Sequence, residues 1–187
     1  MDIQTAIIQR RTIRRFQNKP VGEDKVRKLV DLSRFYASGA NLQPIRYIGI
    51  TSQPLLDQIF ENLRWAGYLP GFEIQPHQRP MAYVVLTCSG KTKKNHQFDV
   101  GAAATTLMLA AEGEGLATCC LGSFTTERLK DILKIEEPME PVLVIALGYP
   151  AQKSRAVDLV DDVKYYEDDD ACLCVPKRKL DDVLQML

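Results

Sequence analysis

FDVGAAATTLMLAAEGEGLATCCLG, residues 98–122, joins a helix of mostly small side chains, starting at Asp99, to a short apolar strand. Small residues along a helix let another backbone approach closely, so a neighbouring element is expected against it. Working outward, AYVVLTC (82–88) and PVLVIALGYP (141–150) are near-continuous apolar runs, the pattern of buried strands. TTERLKDIL between them reads as a helix with Thr125 as N-cap. Upstream, Ile3, Ala6, Ile7 and Arg10 keep a helical period behind Asp2, and Val26, Leu29, Val30 and Ser33 mark one face of a helix from Glu23 to Phe35. IRYIGIT (45–51) reads as a strand, and Leu55, Leu56, Ile59, Phe60 and Leu63 describe a third helix. The alternation predicts an α+β domain built in layers.

Composition bounds the partners. With 187 residues, 24 basic and 24 acidic side chains, the chain has the size of one domain and no global field to gather nucleic acid or anionic membrane. Five cysteines make an odd set without a secreted framework, which points to a reducing cytoplasm. No apolar run approaches the roughly 20 residues of a membrane span, and no signal-peptide pattern is evident. MDIQTAIIQRRTIRRF is amphipathic and Arg-rich like a transit peptide, but Asp2 and the scarcity of serine argue against that reading.

Local charge is another matter. RRTIRRF (10–16) puts four arginines into seven residues. Guanidinium forks pair with phosphate oxygens, and the Thr12 hydroxyl adds a further hydrogen bond. Taken alone, such a run is better read as a solvated basic turn. ASGANLQP (37–44) is a loop offering Ser38, Asn41 and Gln43 at its surface, suited to a planar heterocycle and equally to turn chemistry with Gly39 and Asn41 at positive φ. GYLPGFEIQPHQRP (67–80) is an irregular excursion of the length that is often functional. Gly113 and Gly115 begin a dinucleotide fingerprint, but Thr118 replaces its third glycine and the order is helix to strand, so no Rossmann site is expected. Cys172 and Cys174, two histidines (His77 and His96) and the distant Cys119–Cys120 pair make no metal array. After Pro150 an acidic run, DDVKYYEDDD, leads to CLCVPKR and LDDVLQML. Val175, Leu180, Val183 and Leu184 there require a surface to bury on, so residues 161–187 read as an arm.

The order IQRRTIRRF, ASGANLQP, FDVGAAATTLMLAAEGEGLATCCLG, PVLVIALGYP, VPKR resembles the FMN-dependent nitroreductase family over nearly the whole chain. The resemblance implies a single domain, 1–187, with a central mixed β-sheet flanked by helices and a C-terminal arm exchanged in a homodimer. It implies that Arg10, Arg11 and Thr12, with Arg178 and Lys177, hold the FMN phosphate. Arg14 matches a basic position at the ring's pyrimidine edge, where a fixed cation favours the reduced ring. Ser38, Gly39, Asn41 and Gln43 match the loop that reaches the flavin of the partner subunit. Leu121, Gly122 and Ser123 match the stretch whose backbone N–H groups face flavin N5. The chain departs from the family pattern with Ala37 for the loop's first proline, Ile45 for an aromatic residue and Thr106 for an asparagine.

The implied activity is NAD(P)H-linked, ping-pong reduction of small electrophiles such as nitroaromatics or quinones. Trp65 and Tyr68 stand where they could line the substrate face or pack in the core. A flavoprotein of the same fold with another reaction (dehalogenation, dehydrogenation, flavin breakdown) is the nearest alternative. A nucleic-acid-binding module using the arginine cluster is the alternative of another class.

Overall fold

In the computed structural model, which describes residues 2–89 and 96–187, the chain runs α1 (Ile3–Gln9), α2 (Glu23–Ser33), β1 (Arg46–Ile50), α3 (Gln53–Asn62), β2 (Ala82–Ser89), α4 (His96–Gly113), β3 (Ala117–Leu121), α5 (Thr126–Leu133), β4 (Met139–Gly148), β5 (Ser154–Asp158), β6 (Tyr166–Glu167) and β7 (Leu173–Lys177). The first four strands form one sheet in the order β1-β2-β4-β3, paired antiparallel. A parallel bridge from Thr12 to Thr118 adds the opposite sense at its β3 edge.

The apolar run of β2 is continuous because both faces of the sheet are covered. Val84, Leu86 and Cys88 belong to a core under α2 and α4, whereas Tyr83 and Val85 belong to a second core with α3 and α5. That is the period-2 alternation of a strand buried on both sides. Opposite Pro141, which has no N–H to give the ladder, the register of β2 shifts between Leu86 and Thr87.

The small residues of α4 serve the close approach expected of them. The Ser33 hydroxyl at the end of α2 donates to the Ala103 carbonyl of α4 at 2.9 Å. Ser33 Oγ also lies 3.0 Å from Tyr47 Oη of β1. Asp2 caps α1 by accepting from Thr5 N at 3.0 Å.

Some boundaries differ from the sequence reading. Helix α2 stops at Ser33, because Arg34 closes it and Tyr36 N turns back to the Ser33 carbonyl. Helix α4 begins at His96, ahead of Asp99, and both residues are buried. Thr125 stands at the N-cap of α5 without a side-chain cap hydrogen bond. In the 37–44 loop the positive-φ residues are Ala40, Asn41 and Gln43; Gly39 is not among them.

Beyond β4 the chain builds a second sheet, β5-β7-β6, with β5 and β7 parallel. Its Leu173 and Cys174 are fully buried, while Leu180, Val183 and Leu184 remain exposed and Val175 is half-buried. Within one chain the last eight residues therefore find no apolar cover. Among the described residues no helix is long and apolar enough to cross a membrane.

Candidate functional site

The arginine segment runs as an extended strip along the β3 edge and on toward the small sheet. Ile13 N donates to the Thr118 carbonyl at 3.0 Å, Gln17 N to the Tyr149 carbonyl at 2.8 Å, and Ala151 N to the Arg15 carbonyl at 3.0 Å. Ile13 and Phe16 pack into the α3/α5 core, which anchors the strip at two points.

Arg10 lies against α4, its Nη1 4.0 Å from Met108 Sδ. Glu112, one helical turn further on, shares that face. Burial pushes the Glu112 carboxyl up, and the neighbouring Arg10 and Arg11 only partly pull it back. Burial, and next the like charge of Arg10, lower Arg11 against the opposing pull of Glu112. Burial also pushes Cys119 up to about 12 and Cys120 up to about 11, against the opposing charges of Arg14 and Arg10. Both thiols are protonated at neutral pH and serve as small apolar groups.

Arg14 is the most buried of the four arginines. Its backbone N–H donates to Gln152 Oε1 at 3.2 Å. Gln152 Nε2 in turn donates to Glu167 Oε1 at 3.0 Å, an oxygen shared with Arg15 Nη1 at 2.8 Å. Nine buried side-chain polar atoms lack a hydrogen-bond partner among the described residues, and four of them belong to this strip and the strand beside it: Arg11 Nε, Arg14 Nε and Nη1, and Thr118 Oγ1. The large majority of buried side-chain polar atoms in native proteins have a partner, ordered water included. This set of donors suits an anionic, acceptor-rich ligand lying along the β3 edge, which is the chemistry of a flavin phosphate and pyrimidine ring.

Gly122 and Ser123 follow the C-terminal end of β3, roughly 13 Å by strand rise from Thr118. Leu121 is buried, whereas Gly122 is exposed, and a Cβ built on it would meet no atom within 4 Å. The Ser123 carbonyl accepts from Arg64 N at 3.0 Å, which tethers this turn to the end of α3. Phosphate-type donors at one end of β3 and an open backbone turn at the other thus share one edge.

The remaining predicted residues make no direct contact with the orphaned donors of that edge among the described hydrogen bonds. In the exposed loop, Ser38 Oγ accepts from Gln43 N at 2.9 Å, and Gln43 Nε2 donates to Asn41 Oδ1 at 3.1 Å. Gly39 and Asn41 bound a single 3₁₀ turn. Lys177 and Arg178 are exposed at the end of β7, whose opposite end is rooted beside the strip through Leu173 N and the Lys153 carbonyl at 2.9 Å. Trp65 is half-buried against Phe60, and Tyr68 is exposed with its ring 5.1 Å from that of Tyr165. A groove of about 600 Å³ between α2 and β1 includes none of these residues. Among the described residues no cluster of His, Cys, Asp or Glu could hold a metal.

Sequence reasoning missed Thr118, Gln152, Tyr165 and Glu167. Thr118 is legible only as the residue that spoils a glycine fingerprint, and the other three sit in a polar tail and reach the strip only through long-range contacts.

A family model described as the nitroreductase family matches residues 7–69 and 74–149. A Methanothermobacter thermautotrophicus protein provisionally named NADH dehydrogenase/NAD(P)H nitroreductase is 27% identical over 168 residues, 86% of this chain and 84% of the relative. An NADPH-dependent oxidoreductase of Staphylococcus aureus is 29% identical over 158 residues, covering 75% of this chain and 61% of the relative. Among solved structures, an FMN- and NADPH-dependent nitroreductase from Sphigopyxis sp. strain HMH superposes over 100% of this chain and 99% of its own with a TM-score of 0.73 at 16% identity. The superposition, at this low identity, shows a common fold alone.

Proposed function

The chain belongs to the nitroreductase family and is an oxidoreductase, and from that premise we propose that it uses FMN to pass electrons from NAD(P)H to small electrophiles such as nitroaromatics or quinones. The observation that carries this reading is the set of partnerless buried donors on Arg11, Arg14 and Thr118, aligned along one strand edge that ends in the open turn at Gly122.

Each residue then has a task. Arg10, Arg11 and Thr12 bind the phosphate, with Lys177 and Arg178 completing its charge. The Arg14 guanidinium faces the pyrimidine edge, where its fixed charge stabilises the negative charge that builds on reduction. Backbone N–H groups at Gly122 and Ser123 orient the ring at N5, and Leu121 anchors that turn in the core. The loop with Ser38, Gly39, Asn41 and Gln43 serves the cofactor of a second copy, so the working unit is a homodimer. FMN itself supplies the ring that takes up and returns hydride. No side-chain acid or base is needed, and the protonated Cys119 and Cys120 supply no nucleophile. Trp65 and Tyr68 line the acceptor side.

An absorbance spectrum of the purified protein decides the cofactor: the flavin bands are expected, and a chain that neither carries nor takes up FMN overturns the reading. Because donor and acceptor must use one ring in turn, double-reciprocal plots are expected to be parallel. Intersecting lines would replace alternation with a ternary complex.

A further inference from the structure

Arg14 is only 9% exposed, yet the carboxylate of its corner, Glu167, is committed to Arg15 and Gln152. What orders its guanidinium is an aromatic face: Cζ lies over the Tyr165 ring, 4.3 Å from the centroid. Tyr165 is itself braced by Tyr68, the two centroids 5.1 Å apart and the rings tilted by 49°. The same tail also grips the Arg14 backbone, through Glu167 and Gln152.

We propose that Tyr165 is a positioning residue for Arg14, holding the guanidinium by its face so that Nε–H and Nη1–H, its buried donors without partners, are presented edge-on to a planar acceptor. The inference rests on reading Arg14 as the partner of the flavin's pyrimidine edge. A guanidinium offers its donors in its own plane and its face to aromatic rings, so one cation serves both contacts without competition. The choice of partner matters electrostatically. A carboxylate would order Arg14 equally well but cancel its charge, whereas a ring quadrupole orders the cation and leaves the charge intact. The tail is rich in carboxylates, DDVKYYEDDD, and it is a tyrosine that meets Arg14. A cation whose function is to favour added negative charge on the ring requires that arrangement.

Two measurements test it. In the ligand-free protein the Arg14 Nε–H resonance is expected to be ring-current shifted, to stay so in Tyr165→Phe and to move to an ordinary position in Tyr165→Leu. In the FMN-loaded protein Tyr165→Leu is expected to weaken the preference for reduced over oxidised flavin about tenfold, read as a lowered midpoint potential. Tyr165→Phe should keep the wild-type potential, and Tyr165→Leu should add nothing in an Arg14→Ala background. A lowered potential in Arg14→Ala with a wild-type potential in Tyr165→Leu overturns the proposal while leaving the function intact. An unchanged potential in Arg14→Ala removes the role of Arg14 and the proposal with it.

Discussion

Arg10 and Arg14, four residues apart, sit in different surroundings, and the proposed function gives them different work. Arg10 lies against a polarizable sulfur and beside a carboxylate, whereas Arg14 is buried, with two donors that lack a partner among the described residues. Losing a hydrogen bond to a charged group costs about 1.5–3 kcal/mol. Arg10→Ala is therefore expected to weaken FMN by that amount and riboflavin hardly at all, since only FMN carries the phosphate. Parallel fluorescence titrations with the two flavins check this, and equal losses would remove Arg10 from the phosphate site. Glu112 makes a second prediction. Its pKa is raised in the fold, chiefly by burial, so the ionised form is disfavoured relative to the unfolded chain. Stability from this group is present at low pH and is lost as pH rises through the raised value. Glu112→Gln is accordingly expected to melt higher than the wild type at neutral pH, with the difference vanishing below about pH 4, where the carboxyl is protonated in both states. A gap that persists into acid would assign the effect to packing.

At the scale of elements, the core layers were legible because β2, β3 and β4 are apolar on both faces and α4 is small where α2 approaches. The small sheet was not legible. β5 and β6 are short, mixed in polarity and paired through a strand beyond them in sequence, so no local pattern announces them. The candidate site divides the same way. Arg10 to Arg14 stand out as charge, whereas Gln152 and Tyr165 acquire meaning only where the tail folds back on Arg14. The joint between the sheets is tight. A Cβ at Gly148, the last residue of β4, would come within 2.7 Å of the fully buried Phe16 ring. Overpacking of this kind costs about 1–3 kcal/mol. Gly148→Ala is expected to lower the urea midpoint by a corresponding amount, and because Phe16 follows directly on the arginine strip, FMN affinity should fall with it. A midpoint equal to wild type would mean that Phe16 moves aside freely.

For the molecule as a whole, the unsolved term is apolar surface. Leu180, Val183, Leu184, Met186 and Leu187 are exposed at one end of the chain, as are Ile3, Ile7 and Ile8 of α1 at the other. Fully burying such a side chain is worth about 1.5–3 kcal/mol, against an association cost on the order of 4–15 kcal/mol, so a second copy must cover most of them to bind firmly. Where the arm is cut matters. β7 cannot be removed without unpairing β5 and β6 and exposing Leu173 and Cys174, which would confound folding with assembly. A chain ending at Lys179 keeps the small sheet and loses only exposed residues. It is expected to melt cooperatively and to sediment as a monomer with weakened FMN binding, because the proposed site takes its 38–43 loop from the partner. Lys177→Ala with Arg178→Ala should do the converse, keeping the dimer while losing FMN affinity and sparing riboflavin. A ligand that binds only the assembled state stabilises it by mass action. FMN should therefore raise the melting temperature of the full chain more than that of the shortened one. A shortened chain that sediments as a dimer and binds FMN fully would show that the apolar arm serves something other than assembly.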